Sequence, residues 1–325
     1  MSHPTAIVVF TGGYSGEAVI SRKSARMVMN NIDRKRFDPV LIHIDEEGWF
    51  EETASGKIQT SLDQLLSDDR GFIGGFIMVH GTPGEDGKLQ SMLEQCGFKH
   101  TTGDHECMAL TFNKGRTTAA LKASGIPVAD SVQIPSGTNW EVNKIADSIG
   151  LPCFVKPNET GSSIGINRAE SLDELDAAIN AAQAIGDSGV LIESLLVGRE
   201  FTVGIVPDAH GHPQALPVTE IRTHRKFFDF TAKYDGESEE ITPADIDLET
   251  SGALQKRALE VYQVTRCKGM ARVDMIWLDN QKAAVIEINT VPGFSEASII
   301  PKQAEAVGMS KTELISRIID QTLLT

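Results

Sequence analysis

The chain has 325 residues, about twice the usual length of one domain, so we expect two or three packed units. Its 41% hydrophobic and 23% charged residues are typical of a globular protein, and its formal net charge of −15 disfavours nucleic acid and anionic membranes as partners, since both would repel it. No apolar run reaches the length of a membrane span, no secretory signal is visible, and the cysteines are scattered without a CxxC pair, so we expect a cytoplasmic protein.

The first third of the chain alternates apolar strands with helices. Residues 6–10 form a continuous apolar run that ends shortly before Gly12, which is typical of a parallel strand buried on both faces. The other predicted elements are a helix at 21–31, strands at 39–44 and 76–79, and a helix at 89–95. This alternation predicts an α/β unit whose chemistry lies in the loops at the strand ends.

From about residue 113 onward, helices are mixed with hairpins, which predicts α+β units. A helix at 114–124 opens this part of the chain and stops at Gly125. Ser171 and Ser310 each stand three residues before a glutamate, the capping-box pattern of a helix start. The predicted strands lie at 153–156, 190–193, 201–206, 273–278 and 283–288.

A hairpin near the C-terminus carries the strongest chemical pattern. If its turn spans 279–282, with residue 278 opposite 283, then Asp274 lies opposite Glu287. Arg272 and Asn289 share their face, because side chains two apart in a strand point the same way. Two carboxylates, an amide oxygen and a guanidinium therefore converge.

Hard oxygen ligands at this spacing suit Mg²⁺, which takes one or two protein carboxylates and completes its shell with water and phosphate oxygens. The alternative is the solvated face of a hairpin, on which two opposed carboxylates would be mildly destabilising. We favour the metal site because a cation makes the opposed pair favourable.

A second pattern places Lys156 on a strand that leads into a loop containing Gly161, Ser162, Ser163 and Gly165. Glycines let backbone N–H groups approach phosphate oxygens, and serine hydroxyls add donors. Neither GxxxxGK[ST] nor GxGxxG occurs in a suitable context, so a nucleotide would be bound by another arrangement. The alternative is an ordinary turn.

Two residues that follow strands have both a functional and a structural interpretation. Glu17 could bind a substrate ammonium, or it could be a first-turn helix residue favoured by the helix dipole. His80 could contact substrate, or it could be a structural histidine with satisfied ring nitrogens. His210 and His212 lie in a predicted turn without metal-ligand spacing and are interpreted as surface residues.

Several short segments occur in collinear order between residues 7 and 319: Gly12-Gly13-x-Ser15-x-Glu17, His80-Gly81-x-x-Gly84-Glu85-Asp86-Gly87, Lys156-Pro157 with Gly161-Ser162-Ser163-x-Gly165, Ala232-Lys233-Tyr234, Arg272-x-Asp274, and Glu287-x-Asn289-Thr290-x-Pro292-Gly293-Phe294. In this order they resemble the D-alanine–D-alanine ligase family of the ATP-grasp superfamily. The resemblance implies a Rossmann-like N-terminal α/β domain at 1–112, a central ATP-grasp subdomain with the glycine-serine loop at 113–197, and a C-terminal subdomain with metal and acceptor sites at 198–325.

The resemblance also implies roles for single residues. ATP would be contacted by Lys114, Lys156, Ser163, Glu193, Leu196, Glu200 and Lys233. Two Mg²⁺ ions, or Mn²⁺, would be bound by Asp274, Glu287 and Asn289. The substrates would be contacted by Glu17, His80, Arg272, Ser298 and Ile299. The residues expected to assist the chemistry are Glu17, Ser162, Tyr234, Arg272 and the backbone at Gly293.

The implied activity is the ATP-dependent joining of two D-alanine molecules through an acyl phosphate, which supplies a peptidoglycan precursor for the bacterial cell wall. The resemblance further implies a homodimer. Tyr234 favours an amine over a D-lactate acceptor, and Asn113 stands where the family usually has an aspartate. One alternative is another ATP-grasp carboxylate–amine ligase or a D-alanine–D-hydroxy acid ligase. A catalytically silent ATP-binding protein is disfavoured, because Arg272 and all three predicted metal ligands are present.

Overall fold

The computed structural model describes residues 3–161, 164–223 and 238–325. The strands are β1 (Thr5–Gly12), β2 (Phe37–Asp45), β3 (Gly48–Thr53), β4 (Gly56–Thr60), β5 (Gly75–Ile77), β6 (Ser131–Ile134), β7 (Cys153–Pro157), β8 (Asn167–Ala169), β9 (Val190–Ser194), β10 (Gly198–Pro207), β11 (Pro213–Ala215), β12 (Thr219–Thr223), β13 (Ser238–Ile241), β14 (Ala271–Leu278) and β15 (Ala283–Asn289). The helices are α1 (Ala18–Asn31), α2 (Leu62–Leu66), α3 (Lys88–Gln95), α4 (His105–Phe112), α5 (Lys114–Ala123), α6 (Val142–Ile149), α7 (Leu172–Gln183), α8 (Leu248–Val264), α9 (Ile299–Ala306) and α10 (Lys311–Leu323).

The N-terminal sheet has the order β4-β3-β2-β1-β5. Strand β1 is parallel to both β2 and β5, and its residues from Ala6 to Gly12 are buried. The predicted parallel core of this unit is thereby confirmed. The antiparallel strands β3 and β4 were not predicted, and the strand predicted at 76–79 ends already at Ile77.

Two further sheets follow, and their neighbouring strands are antiparallel. The order in one is β6-β9-β7-β8, and the order in the other is β13-β12-β10-β14-β15 with β11 beside β10. Both predicted capping boxes start helices: Ser171 Oγ accepts the Glu174 N–H at 3.3 Å, and Ser310 Oγ accepts the Glu313 N–H at 3.2 Å. The predicted mixture of helices and hairpins is confirmed for this part of the chain.

The end of the chain packs back onto the N-terminal sheet. One core cluster joins Ile7 and Val9 of β1 and Val28 of α1 to Ile318 and Ile319 of α10. The same cluster includes Phe294 and Val291. The loop after β15 is thus buried against the N-terminal unit, although the two lie far apart in sequence. The domain boundaries proposed at 112 and 197 stay predictions.

The register of the β14–β15 hairpin differs from the predicted one near its turn. Trp277, not residue 278, lies opposite Ala283. Met275 lies opposite Val285, and Ile286 on β15 has no partner in register. The ladder therefore shifts by one residue there, and Asp274 lies opposite Glu287. The predicted closing pair was therefore wrong, and the extra residue restores the predicted pairing of the carboxylates.

The described residues include no helix long and apolar enough to cross a membrane.

Replacement of Ser171 by alanine tests the cap of α7. We expect the free energy of unfolding to fall by about 0.5–2 kcal/mol, because the Glu174 N–H loses its acceptor. Urea unfolding measures the change. Ser124→Ala is the control, since that hydroxyl donates to the Ala120 carbonyl at a helix C-terminus, and it should change stability by less than about 0.5 kcal/mol. Equal effects of the two substitutions would contradict the capping role.

Candidate active site

The hairpin of β14 and β15 brings the predicted metal ligands together. Asp274 pairs with Glu287, and Arg272 pairs with Asn289. The Arg272 guanidinium donates to both Asp274 oxygens, at 2.9 Å from Nε and 2.8 Å from Nη2. Thr202 Oγ1 on the neighbouring β10 donates to Asp274 Oδ1 at 2.5 Å. Two carboxylates, an amide and a guanidinium therefore share one face of the sheet.

The donors on this face fit Mg²⁺. Asn289 Nδ2 lies 3.1 Å from Asp274 Oδ2 and 3.4 Å from Glu287 Oε1, and a half-turn of the amide would present its oxygen to an ion instead. No group of three or more His, Cys, Asp or Glu side chains in the described ranges is arranged to bind a metal, and the third donor here is an amide. Such a set of oxygens is what Mg²⁺ takes together with water and phosphate.

Two largely buried cations face these carboxylates. Burial lowers the pKa of Arg272, but Asp274 and Glu287 raise it by more, so the guanidinium stays charged. Lys156 Nζ lies 2.6 Å from Glu193 Oε2. Burial likewise lowers the pKa of Lys156, and the Glu193 and Glu287 carboxylates more than offset it, so the net pKa is raised. Both cations are therefore available to neutralise phosphate or a developing oxyanion.

The N-terminus of α5 is tied to the loop that follows β7. The Lys114 N–H donates to the Asn158 carbonyl at 3.0 Å, and the Gly115 N–H donates to Asn158 Oδ1 at 3.1 Å. Lys114 Nζ donates to the Thr160 carbonyl at 2.5 Å. Asn113, which stands in place of the family's aspartate, caps α5 through its side-chain oxygen. Lys114 is thereby held beside the start of the glycine-serine loop.

The other residues predicted to contact nucleotide follow Glu193 along the chain. Leu196 lies between β9 and β10, and Glu200 lies on β10 opposite Ile276. Both side chains are partly buried. Four predicted residues lie outside the described ranges: Ser162, Ser163, Lys233 and Tyr234.

Glu17 lies where α1, the glycine-serine loop and the loop after β5 meet. It precedes the first residue of α1, and its N–H donates to Ser15 Oγ at 3.2 Å. A Cβ on Gly161 would collide with the Glu17 carboxylate, and one on Gly81 would lie 3.2 Å from Glu17 Oε2. The absence of side chains at these two glycines lets both loops approach the carboxylate closely.

A third glutamate, Glu85, lies in the same cleft. Its Oε2 accepts the Gly81 N–H at 2.8 Å. Burial of the carboxyl, with repulsion from Glu17 and also from Glu287, raises the pKa of Glu85 to about 8. At neutral pH this side chain is therefore mostly a protonated acid, which reduces the repulsion among the neighbouring carboxylates.

His80 has protein partners on its ring. Nε2 lies 3.0 Å from Ser24 Oγ, the ring also bonds the Val291 carbonyl, and only 5% of the residue is exposed. Burial, together with the charge of Arg272, lowers the pKa of His80 to about 4. The imidazole is therefore neutral at physiological pH.

The predicted acceptor residues lie at the start of α9. Ser298 precedes the helix, but its hydroxyl does not cap the helix. Instead, Ser298 Oγ accepts the Ser295 N–H at 2.9 Å, and a Cβ on Gly293 would lie 3.3 Å from that oxygen. A helix N-terminus without a side-chain cap, beginning at Ile299, is suited to bind a carboxylate.

Sequence reasoning missed three residues with organising contacts: Ser24, Glu85 and Asn158. Ser24 stands seven residues after Glu17, which places both on one helical face, and Glu85 and Asn158 stand inside or beside motifs that were recognised. The spacing of Ser24 was a usable signal. The contacts themselves could not be deduced, because their partners come from distant parts of the chain.

Comparisons with known proteins agree over nearly the whole chain. Two family models match, described as D-ala D-ala ligase N-terminus over residues 6–72 and D-ala D-ala ligase C-terminus over residues 120–320. The D-alanine–D-alanine ligase of Flavobacterium johnsoniae is 38% identical over 322 residues, covering 98% of this chain and 99% of the relative. That of Porphyromonas gingivalis W83 is 37% identical over 320 residues, covering 96% of each.

Solved structures give the same result. VanG D-Ala:D-Ser ligase from Enterococcus faecalis matches with a TM-score of 0.86 and 28% identity, covering 98% of this chain and 99% of that one. D-alanine–D-alanine ligase from Bacillus anthracis complexed with ATP matches with a TM-score of 0.80 and 26% identity, covering 98% and 97%. The fold class is that of the ATP-grasp ligases, as predicted. Within that class, the chain belongs to the D-alanine–D-alanine ligase family.

The raised pKa of Glu85 predicts a measurable pH dependence of stability. The folded chain holds this proton up to about pH 8, whereas the unfolded chain releases it near the ordinary glutamate pKa of 4.5. Stability contributed by the proton is therefore lost as pH rises between these values. In protein without nucleotide or metal, Glu85→Gln should flatten the decline by up to about 1 kcal/mol per pH unit. Urea unfolding at pH 5 to 8 measures it.

The control for this prediction is Glu305→Gln on the exposed side of α9. This substitution removes the same charge from an exposed position. The slope of the free energy of unfolding against pH should therefore match that of the wild type. A Glu85→Gln slope equal to that of the control would show that Glu85 titrates normally.

Proposed function

We propose that this chain is an ATP-dependent D-alanine–D-alanine ligase that forms D-alanyl-D-alanine, ADP and phosphate for peptidoglycan synthesis. One observation carries the proposal. The Gly81 N–H donates to Glu85 Oε2 at 2.8 Å, and a Cβ on Gly81 would lie 3.2 Å from Oε2 of Glu17, the proposed ammonium ligand. The charge of Glu287, on the proposed metal hairpin, also acts on the Glu85 carboxyl. The site for the donor amino acid and the site for the phosphates thus face one cleft, as a direct phosphoryl transfer to the donor carboxylate requires.

In the first half-reaction, the donor D-alanine carboxylate attacks the γ-phosphorus of ATP, so that an acyl phosphate forms and ADP leaves. Glu17 holds the ammonium of the donor, and Lys114 and Lys156 neutralise phosphate charge. Asp274, Glu287 and Asn289 would hold two Mg²⁺ ions, or Mn²⁺, and the ions would neutralise phosphate charge. Glu193 keeps Lys156 charged and in place through their 2.6 Å ion pair. Glu193, Leu196 and Glu200 border the adenosine.

In the second half-reaction, the neutral amine of the acceptor D-alanine attacks the carbonyl carbon of the acyl phosphate. The tetrahedral intermediate then expels phosphate and loses the extra proton of the amine. Arg272 and the Gly293 N–H stabilise the tetrahedral oxyanion. The acceptor carboxylate binds at Ser298 and Ile299, where the start of α9 offers N–H groups. The family resemblance adds four further residues to this proposal. Two of them would contact ATP, Ser163 and Lys233, and two would assist the chemistry, Ser162 and Tyr234. A homodimer and a cytoplasmic location are likewise proposed from the family.

Product analysis tests the proposed function. Purified protein is incubated with Mg-ATP and D-alanine alone, and with D-alanine plus D-serine or D-lactate as competing acceptors, and L-alanine replaces D-alanine in a control. We expect ADP and the mass of D-alanyl-D-alanine as the main product. A D-serine or D-lactate product in excess would move the proposal to a ligase with another acceptor. Bound ATP without any ADP would indicate a catalytically silent protein.

The role of Arg272 gives a second test. Arg272→Ala should lower kcat by roughly 100- to 1000-fold, about 3 kcal/mol of transition-state stabilisation, because one oxyanion donor is removed. Steady-state kinetics measures it, with circular dichroism as the check on folding. Arg36→Ala is the control. Arg36 pairs with Asp320 beside the start of β1, at the end of the N-terminal sheet opposite to Glu17. An unchanged kcat in Arg272→Ala would refute the assignment.

A further inference from the structure

We propose that Ser24, acting with the ring of His80, is a positioning residue that fixes residues 291–294 and thereby the Gly293 backbone N–H beside the reacting carbonyl carbon. The juxtaposition of Ser24 on α1 with the N–H of Phe294 carries this proposal. It rests on the proposed function only for the role of the Gly293 N–H at the oxyanion. We call the hydrogen bonds that join Ser24 to Phe294 and to His80 the clamp, and the clamp can be tested without any turnover.

The loop at 291–294 is held from the N-terminal unit on both sides of Gly293. Val291 is 1% exposed and Phe294 is fully buried, whereas Gly293 between them is partly exposed. The Phe294 ring lies 6.4 Å from the ring of Phe76 on β5, an edge strand of the N-terminal sheet. The hydrophobic contacts thus anchor the flanks and leave the glycine facing the cleft.

Hydrogen bonds complete the anchoring. The Phe294 N–H donates to Ser24 Oγ at 3.1 Å, and the same oxygen lies 3.0 Å from His80 Nε2. Ser24 is fully buried, so water cannot replace either bond. The His80 backbone is itself held, because its N–H donates to Ser21 Oγ at 2.9 Å one helical turn earlier on α1.

Proton accounting defines the tautomer of His80. The Ser24 hydroxyl has one proton, and its oxygen already accepts the Phe294 N–H. The acceptor that the structure offers for that proton is His80 Nε2, so the ring carries its own proton on Nδ1. That nitrogen can then donate to the Val291 carbonyl, which the ring bonds. The chain of bonds runs from Phe294 through Ser24 and His80 back to Val291, and closes around Gly293.

This arrangement gives His80 a different task from the substrate contact that the family resemblance implied. Nε2 of the ring is engaged by Ser24, the Val291 carbonyl also acts on the ring, and the buried imidazole faces the charged Arg272, which disfavours its protonation. A neutral, doubly bonded imidazole is a spacer of fixed shape. A misplacement of the Gly293 N–H would weaken a bond that matters only when the oxyanion forms, so we expect the loss in kcat and not in ATP binding.

Ser24→Ala tests the clamp. We expect kcat to fall roughly 10- to 100-fold, with the KM for ATP within about twofold of wild type. The matched control is Thr101→Val, which also removes a buried hydroxyl that accepts a backbone N–H in the N-terminal sheet, that of Ile77 at 3.0 Å. The control should lose similar stability and keep kcat within about threefold of wild type. Equal kcat losses in both variants would overturn the proposal.

Two readouts do not depend on turnover. Hydrogen exchange at the Phe294 amide should accelerate roughly tenfold in Ser24→Ala and not in Thr101→Val, because only the former removes its acceptor. NMR of the ¹⁵N-histidine-labelled full chain should show His80 neutral with the proton on Nδ1. An unprotected Phe294 amide in wild type, or a proton on Nε2, would overturn the clamp even if the chain makes dipeptide.

A conservative substitution of His80 distinguishes two roles for this residue: positioning through Ser24, and direct contact of a charged imidazole with substrate. His80→Gln keeps an acceptor for the Ser24 hydroxyl, and His80→Ala keeps none. We expect His80→Gln to retain roughly tenfold more kcat than His80→Ala. Equal inactivity of the two would contradict the positioning role. If wild type forms no dipeptide while the exchange and NMR results hold, the proposed function fails and the clamp stands.

Discussion

The crowding of carboxylates in one cleft is the constraint on which the rest of the site depends. The charges of Glu17 and Glu287 both act on Glu85, and Asp274 lies directly across the hairpin from Glu287. Such groups repel unless cations or protons compensate them. In the described structure Arg272 neutralises Asp274, and Glu85 retains a proton near neutral pH. The site is therefore poised for a cation: a bound divalent ion on the hairpin and an ammonium at Glu17 would relieve the repulsion.

The same cleft depends on a second kind of interaction, which carries no charge. The end of the chain returns to the N-terminal sheet, and the loop before α9 is buried there through Val291 and Phe294. Charged partners set what the site attracts, and these neutral contacts set where the backbone of Gly293 lies. Because a hydrogen bond to a developing oxyanion depends steeply on distance and direction, the second requirement is as strict as the first.

Sequence patterns predicted contacts that are local and failed for those that are not. The pairing of Asp274 with Glu287 follows from alternation along two strands joined by a short turn, and it survived a wrong closing pair because Ile286 adds one residue to the ladder. Helix starts at Ser171 and Ser310 are equally local. Ser24 and Phe294 are 270 residues apart, and no periodicity in either segment encodes their meeting. Glu85 was visible within a motif, but its protonation depends on which carboxylates the fold brings near it.

Acceptor choice illustrates the limit of what the backbone determines. Solved ligases that use D-alanine and one that uses D-serine both match this fold closely, so the course of the chain does not discriminate between these amino acids. The two differ by one hydroxyl, and a site discriminates such ligands by leaving a polar group paired or unpaired. At the start of α9, the hydroxyls of Ser295 and Ser298 bond each other at 2.9 Å. Only one of the two hydroxyls can donate in that bond, so the proton of the other is left for a further partner. The choice between the two amino acids therefore depends on how such hydroxyl protons are paired, which the course of the chain does not fix.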